Sequence, residues 1–114
     1  MHELSIALSI IEGVEQEALR HGGSVLAVHL KLGALSGVVK EALLFSWQVA
    51  CEGTSLAKAN LIIKEVPVVV FCPLCQAERT LGSIQHFFCP VCESATPEVL
   101  QGKELEVVAL EIES

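Results

Sequence analysis

Four cysteines in two pairs, Cys72-Pro73-Leu74-Cys75 and Cys89-Pro90-Val91-Cys92, constrain this chain more than any other feature. Thirteen residues separate the pairs. Two Cys-x-x-Cys knuckles at this spacing predict a tetrahedral four-thiolate zinc site. Each knuckle is a tight turn that offers two sulfurs to one ion. The segment between has room for a strand out, a turn and a strand back. Such a site is closed by its own four ligands, so it holds structure and leaves no position for a substrate. Disulfides fit the pattern less well, because no secretory signal peptide opens the chain and a cytoplasmic setting keeps thiols reduced. A redox Cys-x-x-Cys expects a thioredoxin-like βαβ context, and iron–sulfur spacings are more compact or uneven. Cys51 sits apart from the set, in an apolar helical stretch, and reads as a small buried hydrophobe.

Zinc ribbons are common in nucleic-acid machinery, so charge is the discriminating test. The formal net charge is −7. The segment from Gln76 to Phe88 holds one arginine and one glutamate, and no basic stripe occurs elsewhere. Binding nucleic acid needs a Lys/Arg patch to displace counterions, so this composition argues against it. With 52% hydrophobic and 18% charged residues the chain reads as globular, and 114 residues suffice for one domain with a modest core. No stretch has the apolar length of a membrane span. The expected compartment is the cytoplasm.

From Leu4 to Arg20, apolar residues recur at three and four positions: Leu4, Ala7 and Leu8, Ile11, Val14, Ala18. This predicts an amphipathic helix stopped by Gly22-Gly23, with Arg20 and His21 suiting its negative end. Val25 to Leu32 alternates, with Leu26, Val28, Leu30 and Leu32 on one face, and predicts a half-buried strand whose polar face carries His29. Gly33 to Gly37 is a turn. Val38 to Glu52 predicts a second helix with Val39, Leu43, Trp47 and Ala50 inward, closed by Gly53. Leu61–Val66 and Glu104–Ile112 are further strands. Val68–Phe71, Leu81 and Ile84–Phe88 supply strand material around the knuckles, and Ser94–Gln101 reads as an irregular return. The expected fold is α+β: two helices on a small three-stranded mixed sheet, with an inserted zinc-ribbon-like β module. The larger unit comprises residues 1–67 and 101–114. The insert, residues 68–100, is too small to hold a core alone, so metal must supply much of its folding energy.

No nucleophile–base arrangement or phosphate loop is present, which argues against an enzyme. The remaining chemistry lies at Met1-His2-Glu3-Leu4. An α-amine, the amide nitrogen of residue 2 and the His2 imidazole can form adjoining chelate rings around one ion. A near-planar nitrogen set favours Ni(II) or Cu(II) over zinc. The Glu3 backbone or carboxylate can complete the square. The alternative is a solvated terminus with no metal role. His21 reads as a helix-end residue, and His86 as an exposed loop histidine, since the zinc set is complete without it.

Four segments together carry a family resemblance: Met1-His2-Glu3-Leu4-Ser5; Leu32-Gly33-Ala34-Leu35-Ser36 with Val38; Cys51 with Gly53-Thr54; and the two knuckles. In combination they resemble the HypA/HybF family of hydrogenase nickel-incorporation proteins, over essentially the whole chain. The resemblance implies a nickel-binding α/β domain with an inserted zinc domain. It implies Ni(II) binding through His2, with Glu3 in support and the Met1 amine available, and structural Zn2+ on Cys72, Cys75, Cys89 and Cys92. It further implies delivery of Ni(II) to the large subunit of [NiFe]-hydrogenase with the GTPase HypB, by a monomer or homodimer. Two other readings compete. One is an acidic zinc-ribbon module for protein interaction or nucleic acid; the other is a metal-dependent hydrolase with Glu3 as its general base.

Overall fold

The computed structural model describes residues 2–82, 87–96 and 98–113. The elements run α1 (Glu3–His21), β1 (Ser24–Gly33), α2 (Lys40–Cys51), β2 (Asn60–Val66), β3 (Val68–Cys72), β4 (Ala77–Leu81), β5 (Glu98–Gln101) and β6 (Leu105–Glu113). Two helices and two three-stranded sheets make an α+β protein. The chain groups into two compact units. One comprises Met1–Leu30, Val38–Lys64 and Glu106–Ser114; the other comprises Lys31–Gly37 and Glu65–Leu105.

In the first unit, α1 turns Ala7, Ile11 and Val14 inward at helical spacing. Leu4 and Leu8, which the periodicity also places inward, are exposed. They lie a further part-turn round the helix than the buried stripe. The helix ends where Gly22 takes φ 70°, and its N–H caps the Ala18 carbonyl at 2.9 Å. From α2, Leu43, Trp47 and Cys51 are buried, while Val39 lies at the N-cap and is exposed. Trp47 Nε1 donates to the Ala59 carbonyl at 3.1 Å, which satisfies the one polar group that its burial strands. These side chains share a core with Val25, Val28 and Leu30 of β1 and Leu61 of β2.

β1 is central in the sheet order β2-β1-β6. It departs from the half-buried strand that alternation predicts. Val25 and Ala27 are buried, then Val28, Leu30 and Leu32, while Leu26 is exposed. A strict period of two cannot bury adjacent residues, so the alternation breaks between Ala27 and Val28. β1 has a hydrogen-bonded neighbour on each edge, so its pairing holds across this break.

The second unit is built on β3. It lies between β4 and β5 and pairs antiparallel with both. Val68, Val70 and Leu81 are its buried cluster, with Leu35, Phe87 and Val99 packed against them. The expected irregular return from Ser94 to Gln101 is corrected here. Its last four residues, Glu98–Gln101, form β5, whose register against β3 shifts between Val69 and Val70. Phe88 forms an isolated antiparallel bridge with Ala95. The rest of the strand expected at Ile84–Phe88 lies largely outside the described residues.

The Gly33–Gly37 turn is knitted into this unit. The amides of Gly33, Ala34 and Leu35 donate to the carbonyls of Glu104 at 2.7 Å, Val66 at 3.0 Å and Gly102 at 2.7 Å. A Cβ on Gly33 would lie 2.1 Å from the Gly102 carbonyl oxygen, so only glycine fits.

Candidate metal centre

β3 enters the first knuckle at Cys72, and β4 leaves it at Ala77. Inside the turn, Cys72 Sγ accepts the Cys75 amide at 3.4 Å. The second knuckle repeats the arrangement: Cys89 Sγ accepts the amides of Val91 at 3.4 Å and Cys92 at 3.5 Å. Pro73 and Pro90 hold φ in each turn and offer no competing N–H. The residue after each pair, Gln76 at φ 53° and Glu93 at φ 62°, swings the chain through the left-handed region. Equal spacing has produced two turns of the same kind.

The four sulfurs all lie within 4.8 Å of one another. Cys72 and Cys92 sulfurs are 3.4 Å apart, and those of Cys75 and Cys89 are 3.9 Å apart. Zinc–sulfur bonds of about 2.3 Å in a regular tetrahedron set the sulfurs about 3.8 Å apart. The cluster therefore has the dimensions of a four-thiolate metal site. The separations far exceed a disulfide bond of about 2.05 Å, and every cysteine is free. Cys72 and Cys89 are buried, Cys75 is half-buried and Cys92 is exposed. The knuckle tips Leu74 and Val91 face solvent.

The thiols do not share one acidity. Burial pushes Cys89 up, but the amides of Cys92 and Val91 and the Arg79 guanidinium outweigh it and bring the group to about 6. The Ser94 hydroxyl and amide hold Cys92 below the ordinary thiol range. Arg79 draws Cys75 down, but the Cys92 sulfur, burial and the other two sulfurs push it up to about 11. Cys89 and Cys92 are thus shifted toward the thiolate and Cys75 away from it. A cation that binds all four must displace what protons remain, so uptake is linked to proton release. Cys51 differs in kind. It is buried in the first unit's core, and burial, then Glu15, pushes its thiol to about 11. It is the inert hydrophobe the sequence suggested.

Arg79 is the residue of this cluster that sequence reading passed over. It was weighed there only as a lone cation between the knuckles. The signal was its position four residues after Cys75 on an alternating segment.

The N-terminal segment belongs to the first unit. His2 is the N-cap of α1 and is exposed, with no side-chain cap bond; its carbonyl accepts the Ile6 amide at 3.1 Å. Glu3 Oε2 accepts the Val39 amide at 3.3 Å, at the N-cap of α2, which has no side-chain cap of its own. Its own amide, then the Val39 amide, hold the Glu3 carboxyl below the ordinary carboxylate range. The Met1 amine and His86 lie outside the described residues. His21 lies 3.3 Å from Glu17, and His29 Nε2 lies 2.6 Å from Glu111 Oε2. Neither joins a group of metal-binding side chains among the described residues; the four cysteines are the group found there.

Comparison with known proteins agrees with this arrangement. A family model described as "Hydrogenase/urease nickel incorporation, metallochaperone, hypA" matches residues 1–112. The chain is 54% identical over 112 residues to the hydrogenase maturation factor HypA of Chloroflexus aurantiacus, covering 97% of this chain and 98% of that one. It is 47% identical over 114 residues to the HypA of Roseiflexus sp., covering 99% of this chain and 93% of that one. Two solved structures share the fold. One is a solution structure of the Ni metallochaperone HypA from Helicobacter pylori, with TM-score 0.66 at 24% identity, covering 98% of this chain and 97% of that one. The other is a solution structure of a HypA protein, with TM-score 0.71 at 24% identity, covering 98% and 96%. A family match over residues 1–112, together with 54% identity to a curated relative over nearly the whole of both chains, shows that this chain belongs to the HypA family of nickel-incorporation metallochaperones and hydrogenase maturation factors.

Proposed function

We propose that this chain binds Ni(II) at its N-terminus and delivers it to the large subunit of [NiFe]-hydrogenase, acting in the cytoplasm with the GTPase HypB. His2 supplies the imidazole, and the Met1 amine and the residue 2 amide supply further nitrogen donors. In this reading the nickel-binding domain is residues 1–67 and 101–114, the zinc domain is residues 68–100, and Cys72, Cys75, Cys89 and Cys92 hold a resident Zn2+. Bound zinc would be coordinatively closed and structural, and the protein a carrier and not an enzyme.

The observation that carries the nickel proposal is the Glu3–Val39 bond. It fastens the residue after His2 to the start of α2, so the imidazole is presented from an anchored point while remaining exposed. Glu3 then supports the site by positioning, with its carboxylate already committed to an amide. A cargo site suits this arrangement: few ligands, open to a partner that competes for the ion.

Nickel titration by calorimetry tests the proposal, using untagged protein, N-terminally tagged protein and His2→Ala. Loss of binding in both variants, with zinc content and thermal stability unchanged, is the expected result. Undiminished binding in His2→Ala would remove the site; undiminished binding in the tagged protein would remove only the amine.

A further inference from the structure

Arg79 faces Val70 in the β3–β4 register. Alternation along the two strands puts it on the same sheet face as Val68, Val70, Cys72 and Leu81, which are buried. A charged side chain on that face needs a compensating partner. No carboxylate lies within ion-pair distance of it among the described residues. Among the described residues its Nε is buried without a hydrogen-bond partner. Nη1 donates to the carbonyl of the adjacent Glu78 at 3.4 Å. The sulfurs of Cys75 and Cys89, one from each knuckle, favour the charged form of the guanidinium.

Charge makes the pairing more than incidental. Four thiolates around a divalent ion leave two negative charges uncompensated. Between Glu65 and Gly102 the sequence has no other lysine or arginine.

We propose that Arg79 is a positioning residue of the four-cysteine site: it donates N–H groups to the Cys75 and Cys89 sulfurs, offsets the charge of the metal–thiolate group and slows release of the ion. This rests on the reading of the site as a zinc site. Outer partners of metal ligands commonly change metal affinity 10–100-fold when removed. Spread over two sulfurs from different turns, the contact also ties the knuckles together through one side chain.

The test uses the full chain as wild type, Arg79→Met, Arg79→Lys and Thr80→Met, the last a control on the opposite face of β4. Two quantities are measured: the rate of zinc transfer to a colorimetric chelator, and the sulfur-to-metal charge-transfer bands of the cobalt(II)-substituted protein. Arg79→Met is expected to lose zinc about ten-fold faster. Its charge-transfer bands should move to lower energy, because sulfur relieved of N–H donors is a better electron donor. Arg79→Lys should fall between, and Thr80→Met should match wild type. A purely structural arginine would not move the bands. Wild-type release and wild-type bands in Arg79→Met would overturn the proposal. Should Arg79→Met fail to fold, Arg79→Lys decides by its bands: shifted supports the proposal, unshifted overturns it. A wild-type chain that takes up no zinc would overturn the zinc reading itself, which is a separate and recognisable result.

Discussion

Single residues carry two kinds of commitment here, electrostatic and conformational. Glu3 shows the first. Its carboxyl is held below the ordinary range by its own amide and that of Val39. A depressed carboxylate contributes stability that is fully present above its unfolded value, 4.5, and is lost as pH falls through the lower folded value. The exchange protection factor at Val39, taken relative to the intrinsic rate at each pH, is therefore expected to fall below that pH, and Glu3→Gln should show the lower protection already at neutral pH. Gln76 and Glu93 show the second kind. Each holds a left-handed φ without being glycine. Gln76→Gly and Glu93→Gly should each stabilise the metal-loaded protein by about 1 kcal/mol, measured by denaturant titration, and Gln76→Val should destabilise it by a similar amount. The clustering of the four cysteines was legible, because Cys-Pro-x-Cys spacing is a local property. The left-handed residues after the knuckles and the role of Arg79 were not, since both depend on how the turns close against β4.

At the level of elements, legibility followed length and period. Both helices and the strands β1, β2 and β6 stand out because an apolar repeat over seven or more residues outweighs local preference. β4 and β5 do not. Ala77–Leu81 is mostly polar, and Glu98–Gln101 is four residues long. Both are strands because β3 lies between them, and that is a non-local fact. The Leu32–Ser36 motif illustrates the same boundary. It reads as a turn, yet its amides reach Val66, Gly102 and Glu104. Gly33→Ala should be strongly destabilising and shift β5 against the turn, visible as lost exchange protection at Leu35. The helix–loop junction gives a cleaner case. Trp47 is buried and donates to the Ala59 carbonyl. Trp47→Phe keeps most of the apolar area but strands that carbonyl, at an expected loss of about 1–3 kcal/mol in thermal or denaturant unfolding.

Over the whole molecule, the two units rest on separate cores of unequal size. The first unit's cluster draws buried residues from both helices, β1, β2 and the Leu56–Ala59 connection. The second has Val68, Val70 and Leu81 at its centre. A cluster of three such side chains is a small core for a unit of this length, and a structural zinc on the four cysteines would add about 10–16 kcal/mol of apparent binding energy. In the proposed zinc-bound protein, chelation of the metal is therefore expected to abolish exchange protection across β3–β5 while α1 and α2 keep their helical circular dichroism. Loss of the helical signal as well would mean that the two cores do not stand independently. The amide bonds from Gly33 and Leu35 to Glu104 and Gly102 bear on something else, the order of events during synthesis. β1 emerges from the ribosome before its sheet neighbour β6, which follows all the other described elements, and the turn after β1 waits for the segment just before β6. Long-range closures of this kind slow folding. The knuckle thiols leave the ribosome before the sheet partners that complete their unit, so the nascent chain passes through a stage in which its cysteines are exposed and the fold around them is unfinished.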